Sequence, residues 1–133
     1  MDKDTQNLVP NNKEDLNFIN NLKLKSISEI RDIIPQLLEW MQDMNWPQAP
    51  LIADYFSPYI NEIQEELISI LKSNDEIWKY WILHGLILHS EITPSQKILL
   101  EVKRVYLNAS KQEKEEEVDV IAKEILEKYH IPF

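Results

Sequence analysis

A single glycine, Gly85, serves a chain of 133 residues. Glycine is what tight turns most depend on, because it enters left-handed backbone conformations without a Cβ clash. A sheet domain of this length needs many such turns, so the scarcity of glycine directs the chain towards helices joined by short polar loops. Hydrophobic residues at 44% and charged residues at 28% are globular proportions. The length suffices for a core that needs no disulfide or metal.

The apolar residues recur at helical spacing. After a polar lead over 1–12, one helical domain is expected over 13–133. Leu16, Ile19 and Leu22 predict a first helix over Lys13–Lys23, and Ser28 with Glu29 suits the start of the next. Ile30, Ile34, Leu37, Leu38, Met41 and Met44 keep the 3.6-residue period. Pro35 interrupts that stripe, predicting one helical turn, a break, and a helix from Pro35 to about Gln42. Asn45-Trp46-Pro47 reads as a helix start with Asn45 as cap, and Ser57-Pro58 repeats the signal. Tyr59, Ile60, Ile63, Leu67, Ile70 and Leu71 then line one face of a helix closing at Lys72.

Glu76–Leu88, capped by Asn74 or Asp75, is apolar on nearly every side and is expected at the centre of the core. Gly85 inside it costs about 1 kcal/mol against alanine, which predicts a neighbouring helix crossing close over it. Ser95 follows Thr93-Pro94 at another start, and a last helix is expected over Lys111–Tyr129, with KEEEVD in its first turns and Pro132 stopping it. Nothing alternates with the period of a strand. Short loops between helices favour antiparallel neighbours. The expected fold is all-α: a short HEAT-like stack of antiparallel helix pairs, with an irregular closed bundle as the alternative, since no repeat of fixed period is visible.

Three runs, LLEWMQDMNWPQA (Leu37–Ala49), DEIWKYWIL (Asp75–Leu83) and KEEEVDVIAKEIL (Lys114–Leu126), carry a family resemblance. The chain resembles, over about Leu8 to Leu126, small bacterial proteins grouped as a domain of unknown function with HEAT-like helical architecture. Its most specific element is Trp40 with Asp43-Met44-Asn45-Trp46-Pro47. The resemblance implies a fold and, by analogy with helical-repeat scaffolds, protein binding. It implies no catalytic residues.

Several chemistries are excluded outright. Without cysteine there is no disulfide, zinc–thiolate site or thiol nucleophile, and one glycine cannot build a phosphate-cradling loop. His84 and His89 lie five apart, about 140° around an α-helix, the wrong spacing for a shared metal. Glu39 with Asp43, and Glu62 with Glu66, are same-face carboxylate pairs of the kind a glycosidase uses, but no partner marks either as activated. No catalytic, cofactor or metal site is expected. The N-terminus lacks a basic region followed by an apolar one, so a soluble cytoplasmic protein is expected.

The net charge is −9, the wrong sign for nucleic acid or anionic membranes and the right one for a basic protein. The acidity is concentrated: between Arg31 and Lys72 there are seven carboxylates and no Lys, Arg or His. Asp32, Glu39 and Asp43 fall near one line of a continuous helix. The candidate partner surface is Glu39, Trp40, Asp43, Trp46, Asp54, Glu62 and Glu66, punctuated by a tryptophan anchor. Trp46 is expected to pack under the adjoining helix, while Trp40 is either a core flank or an exposed anchor. The expected function is a non-catalytic interaction module for a basic partner, of immunity or accessory type. The chain would be a monomer or a weak homodimer joined through HIPF or the Trp40 edge. The alternative is an enzyme or small-ligand binder with a tryptophan-lined pocket, using Asp43 or His84.

Overall fold

The prolines of the central region set the lengths of its elements. A helix leaves its first four N–H groups unbonded, so proline there forfeits nothing. Pro35 is the second residue of one helix, Pro50 the third residue of another, Pro58 the second of a short 3-10 turn, and Pro94 precedes a capping serine. In the computed structural model, which describes residues 8–132, the chain is all-helical, and no strand occurs among the described residues. The polar lead before Leu8 lies outside them, as does Phe133 of the HIPF end. Among the described residues no helix is long and apolar enough to cross a membrane.

Helix α1 spans Phe18–Leu22. A 3-10 helix over Ser28–Ile33 runs into α2, Ile34–Glu39, and a 3-10 turn over Trp40–Gln42 completes the stripe. The helix interrupted at Pro35 is therefore as the spacing predicts. Next come α3 (Gln48–Phe56), a 3-10 turn (Ser57–Tyr59), α4 (Gln64–Leu71) and α5 (Glu76–Ile82). A π-helical turn over Leu83–Ile87 continues α5, and α6 (Gln96–Leu107), α7 (Lys111–Glu115) and α8 (Val118–Lys128) end the fold. The π turn packs against α3 and α8, and α6 lies against α4 and along α8. Leu37, Leu38, Phe56, Leu67, Leu83, Leu86 and Ile125 are fully buried around it.

Several local expectations change. Leu16 is 47% exposed and precedes α1, whose inward residues are Phe18, Ile19 and Leu22. Ser26, not Ser28, makes the reciprocal start: Glu29 N–H donates to Ser26 Oγ at 3.4 Å, and Ser26 N–H to Glu29 Oε1 at 3.0 Å. That backbone donor also holds the Glu29 carboxyl below its usual range. Asn45 caps nothing; its own N–H donates to Asp43 Oδ1 at 2.8 Å, and α3 starts without a side-chain cap. Ile77 and Tyr59 face outward rather than into the core.

The atoms nearest Gly85 are side-chain ends, one of them from the 3-10 turn over Trp40–Gln42. A Cβ there would meet Met44 Cε at 3.0 Å and Met41 Cε at 3.6 Å, the mobile ends of two thioether side chains.

The last predicted helix is two. Ser110 and Glu113 form a capping box that opens α7, which ends at Glu115, and Glu117, with φ of 60°, turns the chain into α8. Helix α8 ends in a Schellman motif in which His130, φ 55°, takes the left-handed position. His130 N–H donates to the Glu127 carbonyl at 3.2 Å and Ile131 N–H to that of Leu126 at 2.9 Å. The helix thus stops before Pro132 is reached. Both left-handed positions carry a side chain where glycine costs least. Glu117→Gly and His130→Gly should therefore each raise stability by up to about 1 kcal/mol in urea unfolding, whereas a glycine at Val120 inside α8 should lower it by a similar amount.

Candidate functional site

The Trp-rich turn folds around Asp43. Its backbone leaves the 3-10 turn extended, and Oδ1 accepts the Asn45 N–H, while Trp46 N–H donates to the Asp43 carbonyl at 3.1 Å. Asp43 has therefore left the helical register, and Asp32, Glu39 and Asp43 do not form one continuous helix line. The turn brings Trp46 back onto Trp40, edge to face, with ring centroids 5.5 Å apart and planes at 68°. Trp40 takes one of the two roles expected for it, the core flank, while Trp46 lies one layer further out, on Trp40. Glu39, Gln42 and Lys13 complete a cleft of about 270 Å³, with Lys13 Nζ 5.4 Å from the Trp46 ring centroid.

Of the candidate surface residues, the cleft unites Glu39, Trp40 and Trp46, and Asp43 shapes the turn between the two indoles. Asp54 is exposed on α3, and Glu62 is exposed just before α4. Glu66 is neutralised: Arg31 donates to its carboxylate at 2.9 Å and to the Glu62 carbonyl at 3.0 Å. Glu65, on the same helix, meets Lys97 at 3.3 Å. Cations from outside the acidic interval thus reach into it.

A second cluster has no precedent in the spacing of its residues. Glu113, 1% exposed, receives both terminal nitrogens of Arg104 at 3.1 Å, Lys79 Nζ at 3.2 Å and the Ser110 N–H at 2.8 Å. Lys79, nearly as buried, also meets Glu76 at 3.0 Å, and Arg104 meets Glu101 at 2.8 Å and the Leu71 carbonyl at 3.2 Å. Glu76, Lys79, Arg104, Ser110 and Glu113 line an open cavity of about 690 Å³ with Lys72, Ser73 and Gln112. The one legible signal is Ser110 three residues before Glu113, a capping-box spacing; the long-range partners leave no local trace. Burial alone would raise the Glu113 carboxyl, but hydrogen bonds from Arg104, Ser110 and Lys79 and the charge of Arg104 hold it at about 2. It is an anion at any physiological pH, so it fastens helices and cannot act as a neutral acid.

The histidines also depart from expectation. On an α-helix His84 and His89 would diverge, but the π turn adds a residue to the turn between them. Their rings stand 5.4 Å apart and nearly perpendicular, with Tyr80 stacked on His84 at 5.7 Å and Trp81 edge-on to it. Among the described residues no group of three or more His, Asp or Glu side chains could hold a metal ion. Trp78 packs on the core and donates its indole N–H to the Leu38 carbonyl at 2.9 Å.

Because Glu113 titrates lower in the folded chain than in the unfolded one, its stabilisation is complete above about pH 5 and is lost as pH falls towards 2. Glu113→Gln should cost about 3–5 kcal/mol at neutral pH, by leaving Lys79 and Arg104 undercompensated. It should also flatten the fall in stability below about pH 5, as urea unfolding across that range would show. No characterised protein matches the chain at a significant level. The sequence pattern described as Domain of unknown function (DUF5071) matches residues 8–126, nearly the whole described fold, and the chain belongs to that family.

Proposed function

We propose that the chain is a non-catalytic protein-interaction module, a HEAT-like stack of short helices working in the cytoplasm, whose acidic surface engages a basic protein. The observation that carries this reading is where neutralisation stops. Inside, Glu76, Glu101 and Glu113 are each bonded to Lys79 or Arg104. On the surface, Asp32, Glu39, Asp54 and Glu62 have exposed side chains and no ion pair within 4 Å among the described residues. Exposed like charges contribute nothing to folding and steer a cationic partner. An immunity-type protein or an accessory subunit would need such a face.

The alternative, an enzyme or small-ligand binder, has the Trp40–Trp46 cleft in its favour. That cleft is small for a pocket that must enclose a substrate. Asp43, its nominated acid, spends a carboxylate oxygen on the Asn45 N–H, and His84 stacks on Tyr80 instead.

The test is chemical cross-linking in the producing cells followed by identification of the partner and measurement of its affinity. A basic partner should be recovered, bound at least about tenfold more weakly by the Glu39→Lys, Asp54→Lys, Glu62→Lys triple variant and weakened by added salt. A partner that is acidic, or whose affinity ignores both salt and the triple variant, would sink the proposal.

A further inference from the structure

The cleft formed with Trp40 and Trp46 already has a cation on its wall, supplied by the chain itself. Lys13 Nζ lies over the Trp46 ring, two indoles meet at 68°, and the Glu39 carboxylate shares the wall. An ammonium or guanidinium is held in such a setting by the negative faces of the rings and by the nearby charge. Lys13 makes no carboxylate ion pair within 4 Å among the described residues, so the ring is its principal neighbour.

The backbone of Lys13 is secured separately. Gln48, fully buried, donates through Nε2 to the carbonyls of Asn12, Lys13 and Asp15 at 3.2, 2.8 and 2.9 Å. Gln48 lies two residues after Trp46, so one turn supplies both the ring and the clamp on the loop that delivers the lysine. The loop stays in place whether or not the Lys13 side chain is in the cleft. The Trp46 face of an aromatic slot with an acidic wall is thus covered by an exposed side chain free to swing out into solvent.

We propose that this cleft is a recognition slot for a lysine or arginine side chain of the basic partner, and that Lys13 is an internal occupant which the partner's side chain displaces. This rests on the reading of a basic partner given above and adds the anchoring chemistry to it. Arginine suits the slot better than lysine, because its planar guanidinium stacks on an indole and loses less hydration. An internal occupant lowers apparent affinity in proportion to the time it spends in the slot. Deleting it should therefore tighten binding.

The experiment is calorimetric titration of the full chain with a hexa-arginine peptide, supported by indole fluorescence. Lys13→Gln should bind about 3- to 10-fold more tightly, whereas Lys23→Gln, an equal change in net charge on another exposed lysine, should change affinity much less. Trp46→Leu and Glu39→Gln should weaken binding by a similar factor, and the peptide should alter indole emission in the native chain but not in Trp46→Leu. If Lys13→Gln and Lys23→Gln behave alike, or Trp46→Leu binds like the native chain, the slot is refuted. Loss of binding in Asp54→Lys with Glu62→Lys would then leave the acidic surface standing without it. If hexa-arginine binds no form of the chain, both readings fall.

Discussion

Glu113 collects four donors on two oxygens, and they come from places far apart in the chain: Lys79 on α5, both arms of Arg104 on α6, and the backbone before α7. Arg104 in turn reaches the last carbonyl of α4. The helices themselves are short, most of them under ten residues, and helices of that length are marginal alone. Their mutual arrangement must therefore be fixed by contacts between them. Apolar burial supplies most of the free energy but is tolerant of small slides. A buried carboxylate with directional partners is not, since any slide leaves a buried ion without its counter-charge. The cluster thus sets the register of the C-terminal half, while Gln48 does the same work at the N-terminal end with a neutral amide. Gln48 Oε1 is buried without a hydrogen-bond partner among the described residues, an uncompensated cost of that arrangement.

What could be read from the sequence follows from which forces are local. Pro35, Ser95 and Asp75 announce themselves because proline and capping side chains act on backbone groups within a turn of themselves, and all three stand where the pattern put them. Most of the apolar stripe from Ile30 to Leu71 is buried for the same reason. Glu117 and His130 were not legible as left-handed residues, because nothing in either side chain asks for that conformation; packing of the stripe in α8 and of Ile131 imposes it. The same holds for Lys79, which looks like any helix-surface lysine until Glu113 arrives from 34 residues further on.

The Trp cluster stood out in composition, but its geometry did not. A helix wheel would have set Asp43 in line with Glu39 and left Trp46 under α3. The Asp43 side chain bends the backbone first, and the bend, not the period, decides which indole faces outward. The polar interior and the polar exterior consequently differ in kind. Inside, Lys79, Glu101, Arg104 and Glu113 each have directional partners; outside, several carboxylates and one lysine-capped aromatic cleft face solvent with their partners unspecified by the fold.

The π turn over Leu83–Ile87 holds one residue more than an α-helical turn would, as the bond from Leu88 N–H to the Leu83 carbonyl at 2.8 Å shows. The chain therefore carries a removable residue at the middle of its core. Deleting one position there would leave a regular helix and keep the residues beyond it on the same face relative to Trp78 and Trp81, because the π turn already absorbs the extra residue. A chain one residue shorter in this segment would then still present its helix end to the Ser57 carbonyl, which here accepts the Ser90 hydroxyl at 2.6 Å. A change of length by one residue is thus absorbed best where the helix already carries its bulge.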